Sequence, residues 1–117
     1  MDYKQYIENI PDFPIEGIQY KDIQPLMANT VAFESAIKDM GELVEIPNYW
    51  VGIESRGFIF ASALAFHFGG GVRMIRKKGK LPNNRLFSVK YGLEYGDDEL
   101  EIAYLPEHDL GLSLIHI

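Results

Sequence analysis

Three consecutive segments, Tyr49-Trp50-Val51-Gly52-Ile53, Glu54-Ser55-Arg56-Gly57 and the apolar stretch from Phe58 to Phe68, come in an order that few folds can use. The first is short, apolar and β-prone, which reads as a buried strand. The second is a polar turn. The third is apolar nearly all round and reads as a helix; Gly69-Gly70-Gly71 ends it, and Val72 to Ile75 opens a second apolar strand. Strand, helix and strand in this sequence make a βαβ crossover, which lays the two strands parallel in one sheet. The class is therefore α/β, a parallel sheet with flanking helices.

The remaining elements are weaker. Residues 2–10 have Tyr3, Tyr6, Ile7 and Ile10 at helical spacing, with Pro11 as a stop. Residues 11–30 read as irregular, because Pro11, Pro14, Gly17 and Pro25 interrupt them. The same stretch holds Phe13, Ile15, Ile18, Tyr20, Ile23 and Leu26, and a loop this apolar is expected to pack and line a site. Thr30 can cap a helix reaching about residue 44, with Val31, Phe33, Ile37, Met40 and Leu43 facing inward. Residues 77–90 read as a loop and Glu99 to Tyr104 as a third strand. At 117 residues the chain is expected to form one domain or part of one.

Charge is distributed unevenly. The chain has net charge -6, yet seven of its 11 basic residues (Arg73, Arg76, Lys77, Lys78, Lys80, Arg85, Lys90) fall within 73–90, where there is no acid. Positions 94–109 then hold seven acids and no Lys or Arg. Like charges this close repel, and the usual compensation is a polyanionic ligand; a solvated basic loop is the plainer alternative. Glycine, proline and two asparagines in the run point to a mobile loop. An acidic balance disfavours a general nucleic-acid binder. No apolar run approaches a membrane span, no leader segment is recognisable, and the absence of cysteine excludes disulfides and thiolate chemistry. A cytoplasmic location is the expectation.

Among candidate sites, Glu54-Ser55-Arg56-Gly57 occupies the carboxyl end of a parallel strand, where such folds bind ligands. Arg56 offers a donor fork suited to phosphate, although an N-cap serine beside a surface arginine would give the same pattern. Glu94 and Tyr95 lie between Gly92 and Gly96, as a carboxylate on a hinged flap or the tip of a hairpin turn would. Asp97-Asp98-Glu99 reads as a solvated turn and not a metal site. Gly69-Gly70-Gly71 reads as a helix C-cap, and His67, His108 and His116 share no ligand spacing.

Four segments together resemble the adenine phosphoribosyltransferases, of the type I phosphoribosyltransferase family. Pro11 to Leu26 is similar to the family's N-terminal signature, and Gly52 to Phe60 to its pyrophosphate loop. Arg76-Lys77-Lys78-Gly79-Lys80-Leu81-Pro82 and Tyr91-Gly92-Leu93-Glu94-Tyr95-Gly96 are similar to the two ends of its flexible catalytic loop, about 77–96. The resemblance implies a glycosyltransferase of purine salvage, a pentosyltransferase that moves ribose 5-phosphate from phosphoribosyl pyrophosphate (PRPP) to N9 of adenine. AMP and pyrophosphate result, with Mg2+ bound through PRPP. It further implies that Tyr20 stacks on adenine while the backbones of Gln19 and Lys21 bond its edge. Ser55 and Arg56 belong to the pyrophosphate loop, with a cis bond between Glu54 and Ser55. Lys77 and Lys80 neutralise the leaving pyrophosphate, Arg76 reaches a neighbouring subunit in a homodimer, Glu94 serves the N9 proton and Tyr95 covers the ring.

The resemblance runs from about residue 11 to 102. The family's later strand with paired aspartates and its Thr/Gly-rich 5-phosphate loop have no counterpart here, and the tail of about 106–117 is atypical. The expectation is an N-terminal portion of the domain, incomplete at the C-terminus and inactive by itself. A non-catalytic purine- or PRPP-sensing module is the rival.

Overall fold

Gly52 explains how the βαβ unit closes. In the computed structural model, which describes residues 1–82, 86–93 and 96–105, strand β3 (Tyr49–Ile53) runs directly beneath helix α3 (Arg56–Phe68). A Cβ on Gly52 would sit 2.6 Å from the carbonyl oxygen of Gly57, so only glycine lets strand and helix start approach this closely. Trp50, Ala61, Leu64 and Ile75 are buried. The Trp50 indole N–H donates to the Gly69 carbonyl at 2.8 Å, which anchors the far end of the helix. Gly69, at φ +94, caps α3 by donating its N–H to Ala65, as expected for a C-cap and not a phosphate loop.

Strand β4 (Gly71–Lys77) pairs parallel with β3, from Tyr49↔Gly71 to Ile53↔Ile75. Beyond it the sheet turns antiparallel. Its order is β3-β4-β6-β5, with β5 (Leu86–Leu93) and β6 (Gly96–Ala103) forming a hairpin from Leu86↔Ala103 to Leu93↔Gly96. The α/β reading therefore stands, with one parallel pair in a mixed sheet. Part of the stretch expected as loop is β5. Its alternation of Phe87, Val89 and Tyr91 with Ser88 and Lys90 is a strand signal that the density of basic charge obscured. Asp97-Asp98-Glu99 is likewise strand and not turn, because each residue has a backbone partner on β5.

Residues Met1–Glu45 form one compact unit and Ile46–Ile117 another. In the first, a 3-10 helix (Tyr3–Tyr6) and strand β1 (Glu8–Pro11) replace the single helix expected over 2–10. The stretch expected to be irregular holds β2 (Gln19–Asp22), paired antiparallel with β1, and a short helix α1 (Gln24–Ala28). Pro25 opens α1 instead of breaking it, since the first turn of a helix needs no N–H from that residue. Helix α2 (Thr30–Gly41) is capped by the Asn29 side chain, which accepts from Ala32 N–H at 2.9 Å; Thr30 is the first helical residue and not the cap.

The buried stripe of α2 is Ala32, Ala36, Ile37 and Gly41. Of the five positions expected inward only Ile37 is buried, while Val31 is 63% and Leu43 82% exposed. Small residues carry this face because α1 and the 3-10 helix both pack on α2. The Tyr3 hydroxyl donates to the Asp39 carboxylate, tying the 3-10 helix to α2. That bond, with burial and the Asp39 charge after it, pushes the Tyr3 hydroxyl up to about 12.

Candidate functional site

The site at the carboxyl ends of β3 and β4 is organised by Glu54. Its N–H donates to Ile75 carbonyl at 2.9 Å, continuing the parallel ladder past β3 and fixing where its side chain starts. The parallel register places Arg76 and Lys77 immediately beyond Ile75, at the level of Glu54. The chain then folds back. Lys80 N–H donates to Lys77 carbonyl at 3.2 Å, and Gly79 in the third position has φ +88, the conformation for which a type II turn requires glycine.

The result is a four-point cluster. Glu54 Oε1 accepts from Arg76 Nε at 3.3 Å and from the Lys77 N–H at 2.8 Å, and Oε2 accepts from Lys80 Nζ at 2.6 Å. The Glu54 side chain is 7% exposed. The Lys80 bond first, then the Lys77 N–H, hold its carboxyl down to about 2, against the opposing effect of burial. The Arg76 guanidinium lies 6.0 Å from the centre of the Phe58 ring, so helix α3 also supports it.

The acidic strand complements the rest of the basic run. Lys77 Nζ lies 3.9 Å from Asp98 and Lys78 Nζ 3.4 Å from Glu99. Lys78 N–H donates to the Glu99 carbonyl and Gly79 N–H to the buried Glu101 carboxylate, both at 2.9 Å. Bonds from Ser88 and then Lys78 lower the Glu99 carboxyl below its ordinary range. Over Lys77–Lys80 the stretch expected as loop forms a hydrogen-bonded turn. The charge run does not need a ligand to exist, because β6 supplies much of its compensation from within the chain.

Ser55 and Arg56 stand at the start of α3, both exposed. Ser55 occupies the N-cap position but makes no side-chain capping bond, so the plain N-cap explanation of this serine does not hold. The Glu54–Ser55 peptide bond is cis, as the resemblance implies. Ser55, Arg56, Arg76, Lys77 and Lys80 thus share the end of one parallel strand pair. Such an arrangement offers side-chain cations and helix-start N–H groups to an anion.

Gln19, Tyr20 and Lys21 belong to the first unit, on β2. Strand alternation puts Gln19 and Lys21 on one face, and Asn9 of β1 holds both: its Nδ2 donates to Gln19 Oε1 at 2.9 Å and its Oδ1 accepts from Lys21 Nζ at 2.6 Å. Tyr20 points the other way, beside its ladder partner Ile10, with its ring edge-on to Phe13 at 5.0 Å. A half-buried aromatic ring on a short hairpin can stack on a planar ligand. Glu94 and Tyr95 lie outside the described residues, as do Arg85 and the tail from 106.

The sequence pattern includes Glu54 in the candidate turn without giving it a role of its own, and it gives Glu101 none. A carboxylate immediately before a suspected anion turn, in a chain whose cations cluster nearby, was the available signal for Glu54. Nothing in the pattern singled out Glu101.

No family model matches the chain. It is 49% identical over 104 residues to the adenine phosphoribosyltransferase of Herpetosiphon aurantiacus, an alignment covering 87% of this chain and 60% of that protein. The crystal structure of adenine phosphoribosyltransferase from Rhodothermus marinus superposes with a TM-score of 0.74 at 44% identity, over 85% of this chain and 57% of that one. The Saccharomyces cerevisiae enzyme, complexed with an imino-altritol bisphosphate and adenine, gives 0.70 at 39% identity, over 85% and 59%. The chain spans about three fifths of the length of the relatives it matches. In sequence and in fold, the chain is similar to about three fifths of an adenine phosphoribosyltransferase.

Proposed function

We propose that the chain carries the purine and pyrophosphate ends of a site that transfers ribose 5-phosphate from PRPP to N9 of adenine, giving AMP and pyrophosphate. The observation that carries this reading is the gathering of Arg76, the Lys77 N–H and Lys80 around one buried carboxylate at the β3–α3 turn. Breaking the C1–oxygen bond of PRPP leaves positive charge on the ribose and negative charge on pyrophosphate. Cations held at the leaving group stabilise that separation.

In this reading Arg56 and Ser55 receive the pyrophosphate with Lys77 and Lys80, and Tyr20 stacks on adenine between the backbones of Gln19 and Lys21. Glu94 handles the N9 proton, and Tyr95 covers the ring. Magnesium would arrive bound through PRPP and offset its charge, while the chain contributes the cations of Arg56, Arg76, Lys77 and Lys80. The enzyme works as a cytoplasmic homodimer. No helix among the described residues is long and apolar enough to cross a membrane.

The test is calorimetric titration of the 117-residue chain with pyrophosphate and, separately, adenine. Lys80→Gln removes one charge-assisted bond and should weaken pyrophosphate binding about 10-fold while leaving adenine unchanged. A folded wild-type chain that binds no pyrophosphate would sink the reading. AMP formation from adenine, PRPP and magnesium, reduced in Lys80→Gln, would extend it to turnover.

A further inference from the structure

The strongest unexplained feature of the cluster is that its centre is already filled. A site meant for an anion holds a carboxylate with both oxygens engaged and a side chain 7% exposed. We propose that Glu54 is an internal occupant of the anion site, a carboxylate that clasps Arg76, Lys77 and Lys80 until a diphosphate displaces it. The inference rests on the pyrophosphate reading above and adds to it a competitor built into the chain.

Three observations carry it. The first is donor count. Glu54 takes three donors from three successive parts of the polypeptide, the Arg76 side chain, the Lys77 backbone and the Lys80 side chain, much as one phosphate group would. The second is charge. Arg76 and Lys80 bring two positive charges against one negative, so the cluster keeps a surplus that attracts an anion, and releasing Glu54 doubles it. A ligand anion and the carboxylate cannot both remain among these donors without close like-charge contact.

The third is how the remaining cations are committed. Lys77 Nζ and Lys78 Nζ turn toward Asp98 and Glu99 on β6, and the turn itself is held by Glu101 and the Glu99 carbonyl. Those contacts keep the turn in place without Glu54. The clasp can therefore open while the turn remains, with Arg76 and Lys80 free to change partner. Of the acids paired with the basic run, Glu54 alone adjoins Ser55 and Arg56, where the incoming ligand is expected.

Pyrophosphate titration of the intact 117-residue chain compares wild type, Glu54→Gln and Glu34→Gln. The last removes the same charge from an exposed position on α2. Glu54→Gln should bind pyrophosphate about 5- to 10-fold tighter than wild type, with Glu34→Gln close to wild type. In the ligand-free chain, hydrogen exchange at the Lys77 amide should quicken in Glu54→Gln. Weaker binding by Glu54→Gln would mean that the carboxylate positions the cations, and equal tightening by Glu34→Gln would mean a general charge effect; either overturns the proposal while the pyrophosphate reading survives. Unchanged Lys77 exchange also overturns it. Absence of binding by every folded variant removes the reading and the proposal together. If Glu54→Gln does not fold, Glu54→Asp keeps the charge but draws it back by one methylene, and tighter binding is again expected.

Discussion

The two candidate ligand regions, one in each compact unit, are held by opposite means. The β1–β2 pair that carries Gln19, Tyr20 and Lys21 is local: its ladder joins residues within one hairpin, and the Gln19 and Lys21 side chains are held by the neutral amide of Asn9. The Glu54 cluster is assembled from residues 22 to 26 positions apart in sequence and held by charge-assisted bonds. The first can form wherever its hairpin forms. The second exists only when β3, α3 and β4 are all in register, so it inherits the cooperativity of the sheet. Geometry for a flat, uncharged ligand can come from short-range structure, whereas a stable arrangement of like charges needs tertiary enforcement.

The largest expected break is Gly52→Ala. Its methyl group would meet the Gly57 carbonyl at 2.6 Å, and overpacking against backbone costs about 2–3 kcal/mol. Urea unfolding of the Ile46–Ile117 unit should shift by that amount and pyrophosphate binding should fall with it. Adenine binding, if it resides in the first unit, should persist.

Acid separates the halves more gently. Because the Glu54 carboxyl is lowered from 4.5 to about 2, its contribution is complete above pH 4.5 and is lost as pH falls toward 2. Acid titration followed by the Lys80 side-chain NMR signals should show the clasp failing in that window, while the Asn9 bonds, which involve no carboxylate, stay intact. Simultaneous loss of both would remove the distinction. The smallest effect is expected from Asn9→Ala, about 0.5 kcal/mol, since its bonds are solvent-exposed. That change should loosen Gln19 and Lys21 with little effect on pyrophosphate affinity.

What could be read from the chain follows the same division between local and distant causes. The β3–turn–α3–β4 unit was visible because each segment carries its own period and its own punctuation; Tyr49–Ile53 is the strand the pattern predicts. The hairpin was half hidden, because Ser88 and Lys90 alternate correctly but sit in a run whose charge suggested a loop. On α2 the large apolar residues Val31 and Leu43 suggested a face that the structure leaves exposed, and small Ala32 and Ala36 took the buried side. Packing density decided that, and periodicity does not encode it. At the β3–α3 turn, the clustering of cations is readable in the chain while their partners are not: Glu54, Asp98 and Glu99 reach them through strand register, which only the fold supplies.

Trp50 gives the molecule a built-in optical probe. It is the only tryptophan in the chain, its ring is buried under α3, and its strand ends at the turn that holds Glu54. Indole emission therefore reports on the Ile46–Ile117 unit and is silent about Met1–Glu45, whose chromophores are tyrosines and phenylalanines. Excitation near the red edge of protein absorption would follow one half of this polypeptide while circular dichroism follows both, so a lag between the two signals would measure how independently the halves melt.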